Sequence, residues 1–556
     1  SLSVYFMLFL FSFLSVMLLI ALFRMLSLRS GRCFRRKVAN GETLLLLASV
    51  LAVCRFVPVE TVQPEENVEP ADTPASESII ISPQSHMWGP GLTSARSNTP
   101  VRYFFVHAVQ QTTGENFTAS PGAKSIFVDF LDGTDTHTGV HYEVFDRRDG
   151  SLAVRYRLYR SYKQLRIVVR NVENEWIGSS PYILDSVESE NCFCPAPLDA
   201  FKMSFRCPLE GYEQIKVDLS RFGDVNLTQT IPETISRFSD ARGACFAHYS
   251  IINNKLYAKV HGPHTGFRMF SDAFLSSLVR KVKLADVEFI VNLGDYPQEK
   301  RLHSADKLPV FSWCGSTEYA DIVMPTYDVT QATVDSMSRV HVDMISSQSR
   351  LETGDWERKL PKAFWRGRDS RQERLDLVSL AKQQPDLLDA GLTNFFFFRE
   401  QEEELGRVPY VSFQEFFNHK YQINLDGTVA AYRFPWLLAG GSAVLKQDSP
   451  YYEHFYKHLE AWTHYVPVKR DLSDLLKQIQ WLKENEEKAK EIARNGVQFT
   501  RDHLMPESIY CYYALLFQQY ADKLTTPATV RDGMVEVEQP KSTCDCNENS
   551  SPRDEL

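Results

Sequence analysis

The chain has 556 residues, 44% hydrophobic and 24% charged, which is enough apolar material for several domains with cores of their own. Its formal net charge of -9 leaves no basic footprint for a nucleic-acid partner. Ten cysteines fit an oxidising compartment but are too few for a disulfide-dense scaffold.

The first residues point to the secretory pathway. Val4–Phe23 is an apolar run of about the length that spans a bilayer. Arg24, Arg29, Arg32, Arg35, Arg36 and Lys37 follow, and then a second apolar run, Leu44–Val53, containing Ala48 and Ala52. Basic residues, a short apolar run and small residues in that order form a secretory signal pattern, expected over residues 31–55, with the upstream run a gene-model artefact. The rival is a signal anchor at Val4–Phe23, although the basic residues after it favour a cytosolic face there. Residues 1–57 are thus assigned to the hydrophobic N-terminal region and 58–81 to a linker. The stretch Glu60–Asn98, rich in Pro, Glu and Ser, has linker composition.

From about Val101 to Leu184, short stretches alternate apolar and polar residues. Val154, Tyr156 and Leu158 share one face, as do Leu165, Ile167 and Val169, with turn residues Asp149-Gly150-Ser151 before them. This predicts an all-β immunoglobulin-like sandwich over residues 82–188. Asp149 to Tyr156, followed by Gly178-Ser179-Ser180-Pro181-Tyr182, resembles a filamin-type repeat, a module for binding or spacing. Cys192, Cys194 and Cys207 are expected to be disulfides that staple the junction after it; a metal knuckle is weaker, because no histidine sits at ligand spacing. Asn116-Phe117-Thr118 and Asn226-Leu227-Thr228 are glycosylation sequons.

From Cys192 onward the texture becomes α/β, with parallel sheets expected. Phe289–Leu293 reads as a buried strand after a helix through Asp272–Lys283. Ala443–Lys446 reads as another strand, reached by a helix through Pro435–Leu438 and a break at Gly440-Gly441. Leu472–Tyr520 reads as mostly helical, with Glu484–Lys490 as a solvated face. No Gly-x-Gly-x-x-Gly fingerprint and no Walker lysine loop occurs, which argues against NAD enzymes and P-loop NTPases.

Ligands of such sheets sit beyond the C-terminal strand ends. Asp295 follows the strand Phe289–Leu293 through Gly294, and Pro297 stiffens its loop. On turn chemistry alone a turn-forming aspartate is the favoured reading. Two further blocks, Ala363–Arg374 and Tyr421–Phe434, set arginines beside Gly and other small residues. Guanidinium groups next to a closely approachable backbone suit a bound pyrophosphate. Surface salt-bridge clusters are the plain alternative. The chain closes with Arg553-Asp554-Glu555-Leu556, a variant of the ER-retrieval tetrapeptide.

Four strings, Asn292–Pro297, Phe311–Ser316, Trp365–Arg374 and Asp426–Arg433, resemble the CAP10-related protein O-glucosyltransferases. The likeness is greatest to the members with a KDEL-like motif, a filamin-like domain before the transferase and a retrieval tail after it. The resemblance covers roughly residues 82–556 and implies a GT-B fold of two Rossmann-like lobes over residues 192–525, with 526–556 as the tail. It further implies transfer of glucose or xylose from a UDP-sugar to serine in EGF-like repeats, those of Notch-type receptors included, in the ER lumen, and an ER-retrieval receptor as a partner.

Position by position, the resemblance makes Asp295 the catalytic base of an inverting reaction. It gives Arg374 and Arg433 the donor diphosphate, Thr428, Val429, Ala430, Ala431 and Tyr432 the UDP-sugar loop, and Arg368 a further donor contact where a relative carries Ser. Thr265–Met269 falls where the acceptor lies, without the flanking cysteines. Cys192 or Cys194 would pair with Cys511 and the other with Cys207. No cofactor is expected beyond the UDP-sugar itself. No metal is expected either, since no Asp-x-Asp triplet occurs. A non-catalytic ER-resident binding or quality-control protein, and a transferase acting on glycans, are the alternative readings.

Overall fold

The structure, a computed structural model, describes residues 80–544 apart from 94–99, 101, 119, 147–149, 240–244, 302–306, 335–354, 412 and 543. The expected signal region, most of the linker and the terminal Arg553–Leu556 lie outside the described residues.

The N-terminal part is β-rich. Its strands are β1 (His86–Trp88), β2 (Arg102–His107), β3 (Ile126–Leu131), β4 (His141–Asp146), β5 (Ser151–Arg157), β6 (Tyr162–Asn171) and β7 (Tyr182–Val187). They form two antiparallel sheets, ordered β1-β2-β5-β4 and β3-β6-β7. Alternation along the strands sends Val154 and Tyr156 from one sheet, and Leu165, Ile167 and Val169 from the other, into one apolar core. Leu158 lies just past β5 and is buried in the same core. The sheet carrying β5 also buries its other face, where Tyr103, Phe105 and Ala153 cluster beside Trp88.

The next strands are β8 (Phe246–Ile252), β9 (Lys255–His261), β10 (Val287–Asn292), β11 (Val310–Ser312), β12 (Gly315–Ser316) and β13 (Ile322–Val323). They are followed by β14 (Leu360–Arg368), β15 (Leu388–Asn394), β16 (His419–Asn424), β17 (Ala443–Gln447), β18 (Tyr451–Tyr452), β19 (Val466–Val468) and, in the tail, β20 (Val535–Glu536). The second α/β region matches the expectation: β15-β14-β16-β17-β19 is parallel throughout. The first corrects it. Its sheet, β13-β11-β10-β8-β9-β20, is parallel only across β10, β11 and β13. The reason is a two-residue hairpin. Asn253 and Asn254 both take positive φ, 50° and 62°, the conformation that turns β8 directly into an antiparallel β9.

Helices complete the layers. The predicted Asp272–Lys283 helix runs Arg268–Lys281, and the long C-terminal helical stretch divides into Leu475–Glu484, Glu486–His503 and Pro506–Ala521. Pro506–Ala521 buries Ile509–Phe517 in the core of the first region. The short pair β12–β18 links the two α/β regions, Gly315 opposite Tyr452 and Ser316 opposite Tyr451.

The disulfides differ from the expected pairing. Cys207 pairs with Cys511, Cys192 pairs with Cys544, and Cys194 is also disulfide-bonded. Phe205 packs on Tyr510, which brings the first pair together. The second follows from the path of the tail. It pairs β20 with β9, bonds Val537 to Leu256 and Ser542 to Phe193, and so ends beside the junction. Cys245 and Cys314 are buried free thiols.

Candidate active site

The C-terminal tips of β10, β14 and β16 converge. Asp295 sits three residues beyond β10, exposed at the tip of its loop. Its carboxyl takes a hydrogen bond from the Thr428 side chain and lies near Arg368, both supplied by the second region. The protein packed around the loop partly desolvates the carboxyl and raises its pKa above the ordinary carboxylate value, and Thr428 and Arg368 oppose the rise without cancelling it. Two free thiols back the loop. The Cys314 Sγ lies 3.5 Å from the Asp295 carbonyl oxygen, and Cys245 packs against Gly294.

The two arginine blocks become one cluster. The first runs from the end of β14 into the helix Gln372–Gln383; the second is the loop after β16. Arg374 is buried beneath that loop. Its Nε donates to the Asp426 carbonyl at 2.7 Å and its Nη2 to Leu425 at 3.2 Å. Its Nη1 donates to the Arg368 carbonyl at 3.0 Å and the Ser370 Oγ at 3.2 Å. Arg371 extends the clamp, with Nε on the Gly427 carbonyl at 2.6 Å and Nη2 on Thr428 at 3.0 Å. A Cβ on Gly427 would stand 3.3 Å from the Arg374 Nη2, a contact tight enough that a larger residue would push the guanidinium aside by a few tenths of an ångström.

Arg433 donates from Nη1 to the Arg366 carbonyl and is buried enough to lower its pKa, with Asp328 pulling the other way and Arg368 adding repulsion. Arg374 is held down to about 9, first by burial and then by Arg433, with Arg368 and Arg371 adding to it against the pull of Asp426. Arg368 is exposed. Its guanidinium lies 5.8 Å from the centre of the Phe396 ring and makes no hydrogen bond or ion pair among the described residues. Four guanidinium groups around a Gly-Thr-Val-Ala-Ala loop, three of them repelling Arg374, form a site that an anion would relieve.

The remaining loop residues line its inner wall. Val429, Ala430, Ala431 and Tyr432 are all buried. Tyr432 meets Tyr327 edge-on at 5.6 Å, Tyr327 meets Trp313 and Phe267, and Phe267 and Met269 are exposed. An aromatic path therefore leads from the loop to Thr265–Met269 at the rim. Two features carried no role in the sequence reading. Arg371 was visible in its block, but nothing told it apart from Arg374. Asp369 caps the backbone N–H groups of Phe396, Phe397 and Phe398 at 2.7–2.8 Å. Burial opposes its ionisation, yet those three donors hold its pKa below the ordinary value. Among the described residues, no group of three His, Cys, Asp or Glu side chains is placed to hold a metal.

Residues 202–554, more than half of the chain, match glycosyl transferase family 90. This chain is a member of that family. Protein O-glucosyltransferase 2 of Danio rerio is 51% identical to it over 477 residues, which cover 84% of this chain and 94% of the relative. Protein O-glucosyltransferase 3 of Homo sapiens is 46% identical over 493 residues, covering 87% and 96%. The resemblance to CAP10-related protein O-glucosyltransferases is borne out, and the family 90 chain is a glycosyltransferase. A crystal structure of Anabaena Alr3699/HepE with UDP-glucose aligns over 39% of this chain and 62% of its own at 11% identity and a TM-score of 0.24. That likeness is too low to bear on the site.

Proposed function

We propose that this family 90 enzyme is a protein O-glucosyltransferase of the ER lumen. It moves glucose, or xylose, from a UDP-sugar to serine in EGF-like repeats of secreted and cell-surface proteins. One observation carries the reading: a carboxylate of raised pKa from the first sheet meets Thr428 and a cluster of arginines from the second. The names of its relatives supply the protein acceptor and the glucose.

The chemistry follows from that juxtaposition. The Asp295 carboxylate takes the proton of the acceptor serine as the serine oxygen attacks the anomeric carbon. Its raised pKa makes it a stronger base than an ordinary carboxylate. UDP leaves from the opposite face, so configuration inverts. Negative charge grows on the β-phosphate, where Arg368 and Arg433 face it and Arg374 adds charge from beneath. Arg371 and Arg374 also keep Thr428–Tyr432 in shape along the donor sugar. In the same reading the β-rich part is a filamin-type module for binding or spacing, the α/β regions are the two lobes of a GT-B fold, and Arg553–Leu556 engages the retrieval receptor.

Incubation of the purified protein with UDP-glucose and a folded EGF repeat, read by mass, tests this. A gain of one hexose is expected, and UDP-xylose in parallel reads donor preference. No transfer with several donors and repeats would favour the binding-protein reading. Labelling of free sugars would favour a glycan-directed enzyme.

A further inference from the structure

The loop that carries Asp295 is held from below by three buried polar side chains that, among the described residues, make no hydrogen bond or ion pair to the arginine cluster. Asn292, the last residue of β10, accepts from the Gly294 N–H at 3.0 Å through Oδ1. Its Nδ2 donates to the Tyr296 carbonyl at 2.7 Å and to the Ser312 Oγ at 3.1 Å. Ser312, at the end of the neighbouring β11, donates to the Asp321 Oδ1 at 2.7 Å. Asp321, just before β13, accepts the Gln298 N–H through Oδ1 and the Glu299 N–H through Oδ2, both at 2.8 Å. Asn292 and Asp321 are 1% exposed and Ser312 is 0% exposed.

These bonds pin the backbone on both sides of Asp295, at residues 294 and 296 and again at 298 and 299, while its own side chain stays at the surface. Two adjacent parallel strands, β10 and β11, and the residue leading into a third, β13, each contribute one member, and the members bond to one another as well as to the loop. A buried carboxylate and amide are costly to desolvate. Apolar residues would fill a mere packing position at no such cost, so the loop they hold is the feature that accounts for them.

We propose that Asn292, Ser312 and Asp321 are positioning residues that fix the Asp295 carboxyl at attack distance from the acceptor hydroxyl. This rests on the reading of Asp295 as the base. A general base displaced by about 1 Å loses on the order of 10²-fold in rate. The donor arginines belong to other strands, so loosening this frame should leave donor binding alone.

The test compares Asn292→Ala, Ser312→Ala and Asp295→Asn in the full-length protein, using UDP-glucose and a folded EGF repeat. Asn292→Ala removes three bonds and should lower kcat by roughly 10–100-fold. Ser312→Ala removes one oxygen and should lower it several-fold. In both, the UDP Kd by calorimetric titration and the acceptor KM should stay within about twofold of wild type, a pattern that general loss of folded protein does not produce. Wild-type kcat in folded Asn292→Ala and Ser312→Ala, with Asp295→Asn inactive, would overturn the frame and leave the base intact. A loss that appears in UDP affinity instead of kcat would overturn it too. Full activity of Asp295→Asn would instead remove the base reading beneath it. Should Asn292→Ala fail to fold, the smaller Ser312→Ala change decides.

Discussion

The two loops at the centre of the site, residues 294–299 and 425–428, are held mainly through opposite backbone groups. In the first, side-chain acceptors hold backbone N–H groups: Asn292 and Asp321 bind those of Gly294, Gln298 and Glu299, and the product is a presented carboxylate. In the second, side-chain donors hold backbone carbonyls: Arg371 and Arg374 bind those of residues 425–428, and the product is a presented cation cluster. The lesson is that an arginine in such a block has two uses. Arg374 commits four hydrogen bonds to protein acceptors, whereas Arg368 commits none among the described residues.

The comparison is broken most directly at its carboxylate. Asp295→Asn keeps the size and removes the proposed base, so transfer should fall by roughly 10²–10⁴ while UDP binding stays near normal. Wild-type turnover would end the assignment. Next in size is the cation half. Arg433→Ala should raise the barrier by about 2.7–4 kcal/mol, by analogy with deletion of a preorganised oxyanion donor. Arg433→Lys keeps the charge, loses the planar fork and should be milder. Calorimetric titration with UDP, paired with a melting curve, separates ligand from scaffold. Unchanged UDP affinity with a large loss of stability would make Arg433 structural, anchored through its bond to the Arg366 carbonyl.

A third contrast sharpens the difference within the block. Arg374→Ala strips buried carbonyls of their donor and should destabilise the fold, at about 1–3 kcal/mol for each buried group left unpaired. Arg368→Ala removes an exposed side chain and should leave the denaturation midpoint unchanged while weakening UDP. Equal stability losses in the two would show that the block is not divided this way.

The last contrast is a pair of opposite pH dependences. Asp218, in the first region, has its pKa pushed up to about 7 by burial, which Arg221 opposes without cancelling. The folded state therefore binds the proton more tightly than the unfolded chain, and the contribution of Asp218 to stability increases as pH falls from about 7 towards 4. His454, after β18, is pushed down to about 3, mainly by burial, so its contribution is lost as pH falls from 6.5 towards 3. Relative to wild type, Asp218→Asn should compare less and less favourably on acidification and His454→Phe more and more favourably. Melting temperatures across pH 4–8 check both signs.

The sequence by itself carried much of this. Alternation marked the β-rich part, because a strand with one face on a core must alternate. The run from Ala363 and the one from Tyr421 both read as cations beside small residues, and Asp295 read as an acid at a strand tip, because strand, turn and side-chain chemistry there are local. Asn253-Asn254 was a legible hairpin signal that the helix–strand alternation around it masked, so the first sheet was expected to be parallel. Other features only the tertiary structure decided. Cys544 meets Cys192 because the tail first runs along β9, a path set by contacts far apart in sequence. Asn292 and Ser312 end two separate strands and Asp321 precedes a third, and nothing near any one of them signals the others. Arg371, Arg374 and Arg368 are the same residue type in one short block. Whether a guanidinium faces a carbonyl or open solvent depends on how the loop after β16 folds over β14, and parallel pairing across the sheet decides that.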